Sequence, residues 1–362
     1  EAGTRNCQVA NRKLSNLFEL SISENKIISD LAPLASLRNL IFLDLRENKI
    51  SNLKPLSNLT NLTHLNLERN QIGDIKPLSK LTNLIYLNLS KNGVSNLEPL
   101  SNLTNLTHLK LEKNKISDIK PLSNLTKLTR LHLEENKISD ITSLSFLTNL
   151  THLIAPNNKI SDLKSLSNLV NLTELDLWRN RIRDIEPLAS LTKLKKLKLN
   201  SNEIVDLKPL ANLSNLKRIR LGHNKIKDIK YLSNLTKLNE LWLPSNKIDD
   251  VKPLANLTNL TFIFLNQNEI TDVKPFANLT NLTRLWLGKN KIGDIKPLAN
   301  LTNLNLLWIS KNKVSDIKPL YNLTKLTYLY LDGNQIIDIK PLSNLNKLII
   351  LQLNNNLISN IE

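Results

Sequence analysis

The chain has 362 residues, 41% of them hydrophobic but only 4% aromatic, with no Met and a net charge of +17. A core built at that length ordinarily draws on more large rings and on Met, so the composition argues against two or three conventional domains and for one small unit copied many times. The chain has no run of about 18 apolar residues, which excludes a spanning apolar helix, and its single Cys7 excludes an internal disulfide framework and a Cys-based zinc site.

In chain order, the first 17 residues, "EAGTRNCQVANRKLSNL", read as the end of a capping helix, with Val9, Leu14 and Leu17 covering the first coil. The missing initiator Met makes the chain a processed or excised piece, from which any signal peptide is already gone. Residues 18–362 are repeats of one unit. Asn25 opens the series and one extra residue comes after it in the Ile27–Ile28 pair; from Asn48 onward an Asn recurs every 22 residues, giving sixteen coils. The unit "NLTHLNLERNQIGDIKPLSKLT", residues 61–82, shows the physics. Its x-L-x-L-x stretch alternates, which predicts a short strand with leucines inward and variable residues outward. Asn70 then turns the chain, and an amide can bond the backbone of its own loop and of the next coil. Stacked, these residues predict a ladder of Asn48, Asn70, Asn92, Asn114, Asn136, Asn158, Asn180, Asn202, Asn224, Asn246, Asn268, Asn290, Asn312 and Asn334. Asp74 sits where an N-cap belongs and Pro77 falls in the first turn, so "DIKPLSKL" predicts a short 3₁₀ turn on the opposite side. No single coil can bury its Leu and Ile set, but a stack can. The last coil leaves Leu351, Leu353 and Ile358 and a strand edge uncovered, which predicts fraying or self-association there.

The pattern L-x-x-L-x-L-x-x-N-x-I is the leucine-rich-repeat signature, and the form "LTNLTHLNLERNQIGDIKPLSK" resembles the 22-residue repeat of the bacterial internalin-like proteins. That resemblance covers residues 18–362 and implies an α/β-class right-handed solenoid, arc- or horseshoe-shaped, with a concave parallel sheet and convex 3₁₀ turns. It implies a secreted or surface-attached, non-enzymatic module that binds a protein on its concave sheet; a cytoplasmic location is the alternative. Residues 1–17 form a shorter cap than the family carries, and the immunoglobulin-like domain that succeeds family repeats is not seen before Glu362. The host-receptor role of the best-known members is therefore not carried over. The short cap also suggests an upstream disulfide partner for Cys7.

Three outward strand positions exist per coil, six, four and two residues before the consensus Asn, and neighbouring coils about 4.8 Å apart turn each into a column. The middle column ends in five consecutive aromatics, Trp242, Phe264, Trp286, Trp308 and Tyr330, spanning about 19 Å at that spacing. Beside them the last column is small or turn-like: Gly222, Pro244, Asn266, Gly288, Ser310. Large rings next to short neighbours predict a solvent-facing groove, extended by Phe262, Leu306 and Tyr328, with Arg284 alongside and Trp178 on an outward position upstream. Rings favour strands and stack across them for stability alone. That reading does not account for their absence from the first nine coils, and an exposed apolar stripe of Trp and Tyr has the character of a binding surface.

The middle coils add Lys196, Lys198, Arg218 and Arg220, either a solvated face of mixed sign or a contact for an acidic patch on a partner. A polyanion or nucleic acid is the alternative partner, and a structural adhesin-type spacer without a ligand is a second alternative. Nucleic acid is disfavoured because much of the +17 lies on the lysines of D-I-K-P, such as Lys76, Lys120 and Lys208, on the convex side. His64, His108, His132, His152 and His223 lie at or beside the strands, and facing positions two residues and one coil apart are separated by about 8 Å, too far to share a zinc ion. They suit a pH-sensitive contact surface better than a metal site. No phosphate-binding Gly loop, G-x-S-x-G, H-E-x-x-H or convergent carboxylate pair occurs, so neither an enzyme nor a cofactor is expected. The N-L-T triplets at Asn58, Asn102 and Asn124 come with the consensus and are not read as glycosylation sites. The expected state is a monomer with a protein partner and no membrane insertion.

Overall fold

A coil of 22 residues turns leucines inward at fixed intervals, and each coil covers the apolar face that its neighbour exposes. The computed structural model describes residues 16–359; Cys7, Val9 and Leu14, and with them most of the expected cap, lie outside the described residues. Two units are distinguished, Glu1–Asn180 and Arg181–Glu362.

Among its described residues the first unit contains eight three-residue strands: β1 Glu19–Ser21, β2 Phe42–Asp44, β3 His64–Asn66, β4 Tyr86–Asn88, β5 His108–Lys110, β6 Arg130–His132, β7 His152–Ile154 and β8 Glu174–Asp176. They pair in parallel in chain order, with equivalent residues side by side, as in Leu65↔Leu87 and His64↔Tyr86. The extra residue of the first coil is absorbed outside the strands, since Glu19 pairs with Phe42 in ordinary register. The second unit repeats the arrangement with β9 Lys196–Lys198, β10 Arg218–Arg220, β11 Glu240–Trp242, β12 Phe262–Phe264, β13 Arg284–Trp286, β14 Leu306–Trp308, β15 Tyr328–Tyr330 and β16 Ile350–Gln352. Each coil returns through a 3₁₀ turn such as Lys76–Lys80 or Lys208–Leu210. The core is one set per coil: Leu65, Leu67, Ile72, Ile75, Leu78, Leu81 and Leu84 are all at most 1% exposed. In β16 the burial is lost, and Ile350 and Leu351 are 37% and 41% exposed.

Asp74 is not the N-cap. Backbone geometry puts Ile75 there, and the Asp74 carboxylate accepts the Lys76 N–H at 2.8 Å from one residue earlier. It satisfies a donor of the first turn just as a cap would, and Asp118, Asp206 and Asp294 do the same for Lys120, Lys208 and Lys296.

The Asn ladder forms, and it reaches backward. The Asn70 amide donates to the Leu45 carbonyl of the preceding coil at 3.0 Å and to the Leu67 carbonyl of its own at 3.1 Å, while its Oδ1 accepts the N–H of Ile50 at 3.0 Å. The same cross-coil bonds recur through Asn180 in the first unit and from Asn224 in the second. Asn48 departs from the pattern: the extra residue displaces the first coil's donor, and its buried Oδ1 has no partner among the described residues. The residue before each rung is left-handed, with φ of 51–58° from Glu47 to Lys311 and again at Asn355. Only Gly333 meets that conformation without a Cβ penalty. Asn61, Asn83 and Asn105 form a second, unexpected ladder in the first unit, each amide donating at 2.9 Å to a carbonyl of the preceding coil. Asn215, Asn259 and Asn281 do the same in the second unit.

Candidate partner-binding surface

In-register pairing puts Trp242 beside Phe264, Phe264 beside Trp286, Trp286 beside Trp308 and Trp308 beside Tyr330 on the outer sheet face of the second unit. Their successive ring centroids lie 5.5, 4.6, 5.3 and 5.1 Å apart, so the rings form one contiguous ladder, every member half-buried. Edge-to-face and tilted geometry at these distances is the favoured arrangement for aromatic pairs. Phe262, expected as a solvent-facing neighbour, is instead only 7% exposed: Trp242 and Trp286 pack against it edge-on, at 5.1 and 5.7 Å. Leu306 and Tyr328 continue its column, half-buried.

The expected groove beside the rings is filled. Gly222, Pro244, Gly288 and Ser310 are buried. A Cβ on Gly288 would stand 3.0 Å from Trp308 Nε1 and 3.1 Å from its Cδ1, and one on Gly222 would stand 2.8 Å from Pro244 Cγ. The indole of Trp308 therefore lies in the space that Gly288 leaves open.

Arg220 places its guanidinium 4.0 Å from the Trp242 ring centroid, and Arg284 lies 5.4 Å from that of Phe262, both within cation–π range. Arg218 turns instead to Glu240 at 3.3 Å. Lys198 is half-buried in β9. Trp178 lies beyond the end of β8 in the first unit, 44% exposed, and so is not the strand residue that the spacing suggested.

The first unit carries a ring column that the spacing of the middle column does not reveal. Phe42, His64, Tyr86 and His108 stack at centroid distances of 6.2, 6.0 and 6.4 Å in the column six before the Asn. The outer face of the early coils therefore also carries rings. Beside this stack runs a self-satisfied polar chain. Lys91 pairs with Glu68, which accepts the Asn88 amide at 3.2 Å; Asn88 accepts the Ser90 N–H at 3.0 Å; and Glu112 is bonded to Ser90 and, at 3.1 Å, to His132. Burial acts to raise the Glu112 pKa, but the bonds from His132 and Ser90 outweigh it and hold the carboxyl below the ordinary glutamate value. Burial, then the nearby charges of Arg130 and His132, lower the pKa of His108. Among the described residues no three His, Cys, Asp or Glu side chains are grouped to hold a metal ion.

Both depressed values act in one direction. A group whose folded pKa lies below its unfolded one contributes stability that is complete above the unfolded pKa and lost as pH falls through the folded one. Acidification should therefore weaken the contribution of His108 from its ordinary value of 6.5 downward and that of Glu112 below 4.5, opposed by Glu134, whose carboxyl pKa burial raises. The expected result is a lower urea midpoint at pH 5.5 than at pH 7.5 (roughly one unit either side of an ordinary His), with a smaller drop in His108→Gln. An equal drop in both proteins would show that His108 does not couple to folding.

A family model described as "Leucine Rich repeats (2 copies)" matches successive segments of the chain from residues 38–80 to residues 302–344. An internalin of Listeria monocytogenes, InlF, is 33% identical and superposes with a TM-score of 0.75 over 91% of this chain and 89% of that one. A leucine-rich-repeat protein of Leptospira interrogans is 30% identical, with a TM-score of 0.90 over 98% and 94% of the two chains. The functional domain of InlJ from Listeria monocytogenes shares the fold at 24% identity, with a TM-score of 0.82 over 93% of this chain and 72% of that one. No curated relative matches the chain.

Proposed function

The chain belongs to the leucine-rich-repeat family in its internalin-like form, and on that premise we propose that the sheet face of its second unit binds a protein partner through Trp242, Phe264, Trp286, Trp308 and Tyr330. The observation that carries this reading is the contiguity of the ladder: five rings in register, each with part of its face open. Fold stability alone is a poor account of them. The indole N–H groups of Trp242 and Trp286 are buried without a hydrogen-bond partner, a cost that leucines in the same column would not carry. Trp and Tyr are the usual anchors of protein interfaces. The role is that of a non-enzymatic interaction module, exported and monomeric, in keeping with the internalin-like repeat.

The basic side chains of β9 and β10 favour a second reading, capture of a polyanion. The two separate by salt. Binding to a phosphate-rich chain falls steeply as salt rises, whereas burial of rings does not. Capture of partner protein by the wild type at low and high salt, beside Trp286→Ala, is the test. Capture that persists in high salt and fails in the variant supports the protein partner; capture lost in salt and kept in the variant overturns it.

A further inference from the structure

The polar groups on the outer face differ between the two units. In the first, Lys91, Glu68, Asn88, Ser90, Glu112 and His132 bond to one another. In the second, Arg218 is paired with Glu240, but among the described residues neither Arg220 nor Arg284 has a carboxylate partner. Each instead rests on a ring of the cluster, Arg220 over Trp242 and Arg284 over Phe262. A guanidinium held against a ring keeps its planar fork of donors fixed and its charge unneutralised, which suits bidentate recognition of a carboxylate. Arg220 lies in β10 and Arg284 in β13, three strands apart and so separated by about 14 Å along the sheet. The rings of Trp242, Phe264 and Trp286 fill the interval.

We infer that the partner presents an acidic segment, two carboxylates bracketing apolar side chains, whose acids pair with Arg220 and Arg284 while the apolar residue midway between them, on the same face of the extended chain, lies on the rings. An extended chain covers about 3.3 Å per residue, so the acids stand about four residues apart along it. This inference rests on the reading of the ladder as the docking surface and adds the chemistry of what docks.

The probes are a peptide with the core Glu-Leu-Tyr-Leu-Glu, its Gln-Leu-Tyr-Leu-Gln counterpart and a heparin hexasaccharide, titrated against tryptophan emission of the full chain. Wild type should bind the Glu peptide at least tenfold more tightly than the Gln peptide, the scale of a lost charge-assisted hydrogen bond. In Arg220→Gln combined with Arg284→Gln, that difference should vanish while affinity for the Gln peptide is retained, with circular dichroism confirming an unchanged fold. Equal binding of both peptides, lost for both in Trp286→Ala, would overturn the paired-arginine inference and leave the ladder standing. Failure of both peptides to bind at millimolar concentration would count against both the inference and the reading of the ladder. Tighter binding of the hexasaccharide than of the Glu peptide would overturn the inference in favour of a polyanion.

Discussion

Asn224→Ala is expected to destabilise the protein by about 2–4 kcal/mol, although it removes only a small side chain. Its amide donates to the Leu199 carbonyl at 3.0 Å and to the Leu221 carbonyl at 3.0 Å, and its Oδ1 accepts the N–H of Ile204 at 3.0 Å. The three groups do not lose equally. Leu199 O also accepts from Asn202 and Leu221 O also from Asn246, so each carbonyl keeps a donor. Ile204 is fully buried and its N–H donates to Asn224 Oδ1, so in the variant it is left unpaired at a cost of about 1–3 kcal/mol. Loosened contact with two neighbouring coils adds the rest, because a stack is held by its nearest-neighbour interfaces. Asn215→Ala removes a rung of the second ladder that is half-buried and donates to one carbonyl, so water replaces part of what is lost and the cost should be smaller. Urea unfolding of both variants is the measurement. A change below about 0.5 kcal/mol for Asn224→Ala, the range of ordinary surface substitutions, would show that the ladder does not hold the coils together.

The period is legible in the sequence because it is unforgiving. A residue added or lost within the strand would turn its leucines out of the core, and the first coil takes its extra residue outside the strand, so an Asn every 22 residues from Asn48 onward fixes coils, strands and columns together. For the same reason the five-ring column can be read from spacing alone. What spacing does not encode is how side chains lean. Phe262 and Trp308 both occupy outward positions, yet one is buried under its neighbours and the other lies over Gly288. The run of small residues is visible in the sequence and its meaning is not: it admits a ring where a groove was expected. The left-handed residue before each Asn leaves no trace in the sequence, because Glu, Arg, Lys, His, Ser and Gln all fill it. The Phe42–His64–Tyr86–His108 stack is visible in its column, but two of its rings are imidazoles, whose titration masks their aromatic role. Which arginine is paired depends on Glu240 one strand away, a relation among three columns that no single column reveals.

Trp286→Ala combined with Trp308→Ala is expected to weaken partner binding by at least 2 kcal/mol, about thirtyfold, while the protein stays folded. Trp286 is central, in contact with Phe264, Phe262 and Trp308 at 4.6, 5.7 and 5.3 Å, and Trp308 joins it to Tyr330 at 5.1 Å. Removing both divides the ladder into separate ends and takes away two adjoining rings at and beside its centre, where anchoring residues of an interface concentrate. Fold stability will not be untouched. Each lost ring pair contributes about 0.5–1.5 kcal/mol, and Phe262 gains exposure when Trp286 goes. The inward set remains in place, since Leu285, Leu287, Leu307 and Ile309 are fully buried, so unfolding should stay cooperative at a lower midpoint. Leu307→Ala is the matching control: it empties a core position at a cost of about 2–5 kcal/mol and leaves every ring of the ladder present. Binding measured well below the unfolding midpoints of both variants separates the two roles. Loss of affinity in the double Trp variant and retention in Leu307→Ala places binding on the rings. Retained affinity in the double Trp variant, or a double variant that does not fold, would mean the ladder serves the core and the partner docks elsewhere.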